Sequence, residues 1–331
     1  MSNDELKERD QAFDQALRPQ AWDDYIGQER VKENLKVMIE AAKKRKEAAD
    51  HILFSGQAGL GKTTLAHLVA KELGGQLKVT SGPALEKVGD LAALLTNLEP
   101  DDVLFIDEAH RMNRLIEEVL YPAMENRKLH VMLGKGPAAR SITLDLPPFT
   151  LIAATTRENL LSNPLRSRFG ATMRLDYYNL EHLIAILERS AKLLNVKSDM
   201  TALEILAKAA RGTPRIANRL LKRARDYMEV QNADLISENE ARATLNMLQV
   251  DELGLEPQDR KLLEVIIEKF NGGPVGLNTL AAALSEDKGA LEDIYEPYLM
   301  KIGFLQRTPA GRIVLPLAYD HLGAKRAGGM L

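Results

Sequence analysis

The 331-residue chain contains no cysteine and a single tryptophan. Without cysteine there is no disulfide framework, no thiolate zinc site and no cysteine nucleophile, which suits a reducing compartment. No apolar run approaches the roughly 18 residues of a membrane-spanning helix, and the charged residues before Pro19 leave no apolar region of a signal peptide. These absences predict a cytoplasmic protein.

Neither sign of charge dominates, because 44 Lys and Arg residues face 47 Asp and Glu residues. Any contact with nucleic acid must therefore come from a local basic surface and not from the net charge. The hydrophobic share of 45% and the charged share of 27% are those of an ordinary globular protein and exclude long disordered or collagen-like regions. At about 150 residues per domain, the length predicts two or three domains.

The first predicted domain, residues 1–178, has the pattern of an α/β protein. Apolar strands at 52–55, 103–106 and 151–154 alternate with helical stretches. This alternation is typical of a parallel sheet covered by helices.

Two smaller domains are predicted after it. In residues 179–251 the strand signals vanish and Leu, Ala, Lys and Arg recur at helical spacing, which predicts a small helical lid domain. In residues 252–331, three helices precede a hairpin, which predicts a winged helix. The helices are expected near 262–270, 279–284 and 290–301, and the hairpin turn at 309–311.

Residues 56–63, Gly-Gln-Ala-Gly-Leu-Gly-Lys-Thr, match the phosphate-binding pattern G-x-x-x-x-G-K-[ST] between an apolar strand and a helix. Glycines such as Gly59 and Gly61 let backbone N–H groups and the helix N-terminus face a β-phosphate. Lys62 would neutralise the β/γ charge of ATP, and the Thr63 hydroxyl would hold Mg²⁺. The strand and helix around the motif make a mere glycine-rich turn the weaker interpretation.

A pair of acidic residues ends the second apolar strand. Asp107 and Glu108 follow residues 103–106 directly. At the carboxyl end of a parallel strand beside a phosphate-binding loop, one carboxylate can hold Mg²⁺ while its neighbour orients an attacking water. We assign Asp107 to the metal and Glu108 to the water. The alternative is that both acids cap a helix that begins near Ala109.

Two weaker signals follow the third strand. Thr155 and Thr156 end this strand, and their hydroxyls could report whether a γ-phosphate is present, although, taken alone, a plain strand end is the stronger interpretation. Arg166 and Arg168 lie in the loop before the next strand. An arginine on a domain rim can reach a neighbouring subunit's γ-phosphate, although, taken alone, a surface salt bridge is the stronger interpretation.

A third cation is placed at a predicted helix N-terminus. Thr213 would cap the helix, Pro214 would occupy its first position and Arg215 its first turn. A cation there opposes the helix dipole and implies an anionic partner such as an ATP phosphate, with simple surface exposure as the alternative. We expect the basic run 43–46 to be a solvated helix face.

Together these motifs resemble those of the AAA+ ATPases, and further segments resemble the RuvB family of bacterial Holliday-junction branch-migration motors. The resemblance extends from about residue 17 to about residue 311. The segments that carry it read Leu-Arg-Pro at 17–19, Tyr-Ile-Gly-Gln at 25–28, Leu-Glu-Lys at 85–87, Tyr-Pro-Ala-Met-Glu at 121–125, Gly-Pro-Ala-Ala-Arg at 136–140, Arg-Ile-Ala-Asn-Arg-Leu at 215–220 and Gly-Gly-Pro-Val-Gly-Leu at 272–277.

The resemblance implies an α/β fold with an AAA+ P-loop domain, a small helical lid and a C-terminal winged helix. It implies a homohexamer that hydrolyses ATP with Mg²⁺ and translocates double-stranded DNA at Holliday junctions in recombination and repair, together with RuvA and RuvC. The catalytic residues would be Lys62, Asp107, Glu108, Thr156 as sensor 1, Arg168 as an arginine finger acting in trans, and Arg215 as sensor 2. The nucleotide would be bound by Leu17, Arg18, Gly59, Gly61, Lys62, Thr63, Thr64, Glu125, Asn126, Arg127, Arg168, Tyr178 and Arg215, and Mg²⁺ by Thr63 and Asp107.

A second hairpin is predicted between residues 129 and 146, where half-apolar strands flank a turn at 134–137. In the resembling family this hairpin docks RuvA. The pattern alone is equally consistent with a hairpin packed on its own domain, because half-apolar strands must bury one face somewhere.

The predicted wing carries the candidate DNA contacts. Arg307 and Arg312 flank its turn and Lys288 precedes the third helix, so we expect these cations to lie along a phosphate backbone without reading bases. The alternative is a basic hairpin that only keeps the domain soluble. The chain departs from the family pattern at Ala310, a usually basic site in the wing. It also has Gln57-Ala58 in place of two prolines, and Lys135 where an acid is common.

Two other functions remain open at this point. One is a different AAA+ remodeller, such as a clamp-loader subunit, and the other is a nucleotide-gated DNA-binding adaptor with no motor cycle. Glu108 and Arg168 favour ATP turnover over a switch, and the winged helix favours DNA over a protein substrate.

Overall fold

The computed structural model describes residues 15–133 and 140–325, which belong to two compact units. The first unit contains the described residues up to Ile186 together with Thr213–Arg215, and the second contains Leu187–Gly212 and the described residues from Ile216 onward. No helix in this part of the chain has the length and apolarity needed to cross a membrane. The three domain boundaries and the cytoplasmic location stay predictions.

A parallel sheet forms the centre of the first unit, and a separate hairpin accompanies it. The strands are β1 (Ile52–Ser55), β2 (Leu77–Ser81), β3 (Val103–Asp107), β4 (Lys128–Leu133), β5 (Arg140–Asp145), β6 (Thr150–Thr155) and β7 (Ala171–Arg174). The sheet has the order β2-β3-β6-β1-β7 with every neighbouring pair parallel, which confirms the predicted α/β fold class.

The central strands β1, β3 and β6 are the three apolar strands expected from the sequence. Their side chains are almost all buried, because helices cover both faces of a parallel sheet. Strand β2 was not predicted. It lies at the sheet edge and its side chains are half-buried or exposed, so it has no continuous apolar run to indicate it.

Five α-helices that lie wholly within the first unit have both ends in the described residues. They are α1 (Glu29–Arg45), α2 (Lys62–Leu73), α3 (Val88–Thr96), α4 (Arg114–Asn126) and α5 (Asn163–Arg166). Leu91 of α3 and Ile116 and Leu120 of α4 join Leu104 and Leu151 in one buried cluster on one face of the sheet. Alternate strand residues point to this face, because successive side chains of a strand point to opposite sides.

The basic run at the end of α1 is a solvated helix face, as expected. Lys43 pairs with Glu72, Lys44 with Glu40 and Arg45 with Glu47. Cations in the last turn of a helix also complement its dipole.

The predicted β4–β5 hairpin is confirmed, with the antiparallel pairs Leu129↔Leu144 and Val131↔Ile142. Leu129 is buried in the same cluster as Leu104 and Leu151, whereas Ile142 and Leu144 are exposed. The expected turn at 134–137, including Lys135, lies outside the described residues. The hairpin therefore packs one strand on its own unit and leaves apolar side chains of the other strand in solvent.

The chain from residue 180 onward is helical until the last hairpin. The helices are α6 (Leu180–Leu193), α7 (Met200–Lys208), α8 (Pro214–Val230), α9 (Glu238–Met247), α10 (Pro257–Phe270), α11 (Leu277–Leu284), α12 (Lys288–Ala290), α13 (Glu296–Lys301) and α14 (Pro316–Leu322).

The winged helix is confirmed as a fold. Helices α10 and α11 precede a third helical segment in which α12 and α13 are joined by a π-helical turn at Leu291–Tyr295. The hairpin follows as β8 (Leu305–Thr308) and β9 (Gly311–Val314), which pair antiparallel. Leu262, Ile266 and Leu299 are among the buried residues of its core.

A buried ion pair ties the residues before Gly212 to the winged helix. Arg211 Nη1 and Nη2 donate to the two carboxylate oxygens of Asp259 at 2.9 and 3.2 Å, and Asp259 is fully buried. The Arg211 guanidinium also lies 4.5 Å from the centre of the Tyr298 ring. The bidentate geometry and the stacked ring fix both partners, because a planar guanidinium suits both contacts.

Candidate nucleotide-binding site

The P-loop lies between β1 and α2, and its glycines are required by its shape. Gly59 and Gly61 have φ values of 81° and 100°, in the left-handed region that favours glycine. A Cβ atom at Gly61 would come within 2.6 Å of the Tyr25 hydroxyl, and one at Gly59 within 3.0 Å of Arg215 Cβ. The φ values and these close contacts exclude a side chain at both positions, so the loop presents backbone directly before the N-terminus of α2, a type of position that binds phosphate.

Lys62 is the first residue of α2 and its side chain folds over the loop. Its ammonium donates to the carbonyl oxygens of Gly56 and Gln57, both at 2.7 Å. Burial lowers the pKa of Lys62 to about 8, while Asp107 raises this pKa and Arg215 lowers it further. In the described chain no carboxylate lies within 4.0 Å of this ammonium, so a nearly buried positive charge has only neutral oxygens as partners.

Arg215 joins Lys62 at the loop. It lies in the first turn of α8, its Cβ approaches Gly59, and its side chain is exposed. Among residues 15–133 and 140–325 it has no ion pair, whereas most arginines of α8 are paired with acids. Two uncompensated cations and the N-terminus of α2 thus converge on one side of the P-loop. This convergence favours an anion, as expected from the position of Arg215.

The acidic pair lies at the end of β3, next to β6 in the sheet. Asp107 is close enough to Lys62 to raise the pKa of that lysine. Glu108 has φ 47°, an uncommon conformation for a residue other than glycine, and strain of this kind is typical of functional sites. Its carboxylate pairs with Arg111 Nη1 at 2.9 Å and is half-exposed.

Thr155 and Thr156 have different environments. Thr155 is buried, accepts from the Arg157 backbone N–H at 3.0 Å and lies 3.0 Å from His110 Nδ1. Thr156 is the first residue beyond β6 and is only half-buried, which leaves it as the better candidate for a phosphate sensor. Sequence reasoning did not single out His110, although it follows the acidic pair by two residues.

Tyr178 contacts the backbone of the P-loop. Its hydroxyl donates to the Leu60 carbonyl oxygen at 3.3 Å and to the Tyr25 hydroxyl at 3.1 Å. Burial raises the pKa of Tyr178 to about 12, so the phenol stays protonated. Gly27 packs against the same ring, since a Cβ there would come within 2.7 Å of Tyr178. Tyr25, unlike Tyr178, was not predicted as a site residue. These tyrosines therefore position the loop backbone.

The other predicted nucleotide contacts of this region lie along α2. Thr63 and Thr64 occupy its first turn and are half-buried. Leu17 is buried. The pKa of His67, which lies on α2, is lowered first by burial and then by the positive charge of Arg18. The segment at 17–18 is thus close to the helix that the P-loop opens.

Arg168 and the segment Glu125, Asn126 and Arg127 form a separate group. Arg168 Nη2 lies 3.0 Å from Glu125 Oε1, and Asn126 and Arg127 are exposed at the end of α4. No hydrogen bond or ion pair joins Arg168 or Glu125 to Lys62 in the part of the chain that the structure describes. A role at a neighbouring subunit's site is compatible with this separation.

Arg312, predicted to contact DNA, is largely enclosed by acidic side chains of the third helical segment. Its side chain is 10% exposed, and its Nε donates to Glu296 Oε1 at 2.8 Å, while Nη2 lies 3.3 Å from Glu292 Oε1. Arg307 binds the same fully buried Glu296 but is 43% exposed. Lys288 is exposed and has no ion pair among the described residues. Arg312 therefore holds the wing on the third helical segment, and the DNA contacts of Lys288, Arg307 and Arg312 stay predictions.

Comparison with known proteins agrees with this geometry. Residues 17–175 match the Holliday junction DNA helicase RuvB P-loop domain, residues 178–251 the RuvB AAA lid domain and residues 252–323 the RuvB C-terminal winged helix domain. Among solved structures, the Thermotoga maritima RuvB Holliday junction branch migration motor is 50% identical, with a TM-score of 0.87 over 94% of this chain and 99% of that chain. A point mutant of Thermotoga maritima RuvB is likewise 50% identical, with a TM-score of 0.87 over 93% of this chain and 99% of its own. The chain belongs to the RuvB family of Holliday junction DNA helicases.

Proposed function

We propose that this protein is an ATP-hydrolysing translocase on double-stranded DNA that drives branch migration of Holliday junctions. It would act as a homohexamer, with RuvA and RuvC as partners. The observation that carries the proposal is the convergence of Lys62 and Arg215, neither with a carboxylate partner among the described residues, on the P-loop beside Asp107 and Glu108. Family membership supplies the DNA substrate.

The residues at the loop fit ATP with Mg²⁺. Gly59 and Gly61 leave no space for a side chain, because a Cβ would meet Arg215 Cβ or the Tyr25 hydroxyl, and Lys62 is a buried cation without an acidic partner in the described chain. The Thr63 hydroxyl and the Asp107 carboxylate are oxygen ligands of the kind that Mg²⁺ prefers. No group of three or more acidic or histidine residues that could bind a metal occurs in the described residues, so phosphate oxygens would complete the shell.

Each protein group has a distinct task in hydrolysis. Mg²⁺, which Thr63 and Asp107 would hold, would neutralise charge that develops on the phosphate oxygens. Lys62 and Arg215 bind the phosphates in the ground state and orient them. Glu108 orients the attacking water and accepts its proton, which requires that its carboxylate leave Arg111 at least in part. Thr156 is placed to sense the γ-phosphate, and Arg168 would complete the site of a neighbouring subunit.

Assembly and partner binding are supported by surfaces of the first unit. In the described chain no hydrogen bond or ion pair joins Arg168 or Glu125 to Lys62, so an arginine finger there would act in trans and would require a ring. The exposed Ile142 and Leu144 of the β4–β5 hairpin are apolar side chains that a partner such as RuvA could cover.

The decisive experiment compares two variants at the P-loop. Lys62→Ala should abolish ATP binding, because the lysine neutralises phosphate charge before any chemistry occurs. Glu108→Gln should bind ATP normally and lose hydrolysis, because its role begins when water attacks. Binding is measured with a fluorescent ATP analogue, and turnover as phosphate release on four-way junction DNA with and without RuvA. Equal loss of nucleotide affinity in both variants would contradict the assigned roles.

A further inference from the structure

The helix α4 presents a stripe of polar side chains to the loop that carries Arg168. Glu117, Tyr121 and Glu125 are spaced four residues apart, so they lie on one helix face. The Tyr121 hydroxyl lies 2.9 Å from Ser162 Oγ and 3.4 Å from Glu117 Oε2. Ser162 is also the N-cap of α5, since its Oγ accepts from the Leu165 backbone N–H at 3.3 Å. These hydrogen bonds connect Tyr121 to the start of α5, the short helix that precedes Arg168.

The Arg168 guanidinium is held on three sides. Its Cζ lies 4.5 Å from the centre of the Tyr121 ring, within the range of a cation–π contact. Nη2 pairs with Glu125 at 3.0 Å, and Nη1 donates to the Pro164 carbonyl oxygen. The Arg168 side chain is 22% exposed, and its buried Nε has no hydrogen-bond partner among the described residues.

We propose that Tyr121 and Glu125 are positioning residues that hold Arg168 for its action on the neighbouring subunit's nucleotide. This inference rests on the proposed function, in which Arg168 acts in trans. A guanidinium has five N–H donors, and the contacts with Glu125 and Pro164 leave others on the exposed edge for a phosphate. The ring and the carboxylate fix the plane and the direction of that edge before the neighbour arrives.

A fixed guanidinium matters because the finger acts on charge that develops in the transition state. Donors that are already oriented stabilise this charge without reorganisation during the reaction. A displacement of about 1 Å can cost about 10²-fold in rate. Loss of the ring should therefore lower the hydrolysis rate without weakening ATP binding, because in the described chain no hydrogen bond joins Tyr121 to the P-loop.

The main test uses Tyr121→Leu and Tyr121→Phe in the full chain. The leucine variant removes the π face, and its junction-stimulated kcat should fall about tenfold or more while its ATP affinity stays unchanged. The phenylalanine variant keeps the ring and loses only the hydroxyl contacts, so it should keep most of the rate. A leucine variant with wild-type kcat would overturn the proposal.

Mixed rings separate positioning from a general defect. Tyr121→Leu has an intact P-loop, and Glu108→Gln has an intact Arg168, so a mixture of the two should recover hydrolysis at mixed interfaces. A mixture of Tyr121→Leu with Arg168→Ala should not recover, because neither subunit supplies a positioned arginine. If the first mixture stays inactive although both proteins assemble, the defect of Tyr121→Leu lies in its own site and the proposal fails.

Glu125→Ala keeps the inference testable if Tyr121→Leu does not fold, which circular dichroism would show. The Glu125 side chain is half-exposed, so the alanine variant should fold. We expect a lower kcat and recovery of hydrolysis in mixtures with Glu108→Gln. Glu118→Ala, an exposed carboxylate of the same helix that pairs with Arg114, is the matched control and should keep wild-type activity. Wild-type kcat in Glu125→Ala would overturn the role of Glu125.

The inference and the proposed function fail in different ways. If Arg168→Ala itself hydrolyses ATP at the wild-type rate, the arginine finger of the proposed function is wrong. If Arg168→Ala is inactive and both the Tyr121 and Glu125 variants are active, only the positioning role is wrong.

Discussion

Replacing Arg312 by alanine should destabilise the wing, although the position of this cation in a basic hairpin suggests a DNA contact. Glu296 is 0% exposed and binds both Arg312 and Arg307. Removing one partner of a buried ion pair costs about 3–5 kcal/mol, because the remaining charge stays buried without compensation. Arg307 would still bind Glu296, so we expect the lower end of this range, about 3 kcal/mol.

The change is measured best by hydrogen exchange of the strand amides in β8 and β9. The only tryptophan, Trp22, lies in the first unit, so its emission does not report on the winged helix. At about 1.4 kcal/mol per factor of ten, a loss of about 3 kcal/mol raises the opening equilibrium of these amides about a hundredfold.

Lys288→Ala is the matched control, because this exposed lysine has no ion pair in the described chain. It should change stability by less than about 0.5 kcal/mol. If Lys288 contacts a phosphate, the slope of log affinity against log salt should fall by about 0.9 for duplex DNA. The reasoning is refuted if Arg312→Ala leaves amide exchange unchanged and reduces duplex affinity and salt slope as Lys288→Ala does.

Two further predictions concern buried charge. The His51 Nδ1 accepts from the Leu151 backbone N–H at 2.8 Å and burial lowers its pKa. The neutral ring therefore stabilises the fold above the ordinary pKa of 6.5, and this contribution is lost as pH falls from there through the lowered folded-state pKa. Urea midpoints followed by Trp22 emission should decline over that interval, and His51→Gln should flatten the decline; equal slopes in both proteins would contradict this. Asp259→Ala should destabilise the second unit by about 3–5 kcal/mol, because it leaves the buried Arg211 charge without a partner. The double variant Asp259→Leu with Arg211→Met should recover most of this stability, measured by amide hydrogen exchange. A double variant no more stable than the single one would show that the buried charge is not the cause.

The P-loop residues were predictable because local chain geometry dictates them. Gly59 and Gly61 are required by their φ values, and Lys62 follows them at the start of a helix. The position of the acidic pair at 107–108 was likewise predictable, since an apolar strand that ends in two carboxylates places them at the carboxyl edge of a parallel sheet. In each case the signal lies within a few residues.

The supporting residues were not predictable in the same way. Tyr25 contacts Tyr178 although 153 residues separate the two in sequence, so only the folded chain brings them together at the P-loop. His110 reaches Thr155 because β3 and β6 are neighbours in space, although the two residues are distant in sequence. The edge strand β2 is half-exposed and carries no pattern that distinguishes it from a loop.

The sequence by itself determined which segments form the P-loop, the central strands and the winged helix, because backbone geometry and apolar periodicity are local properties. Only the tertiary structure decided which charges are compensated. Arg312 is neutralised by Glu296, 16 residues earlier, whereas Arg215 meets the P-loop backbone and has no acid within 4.0 Å in the described chain. The energy of a charge depends on its burial and on neighbours within a few ångströms, and residues far apart in sequence supply both.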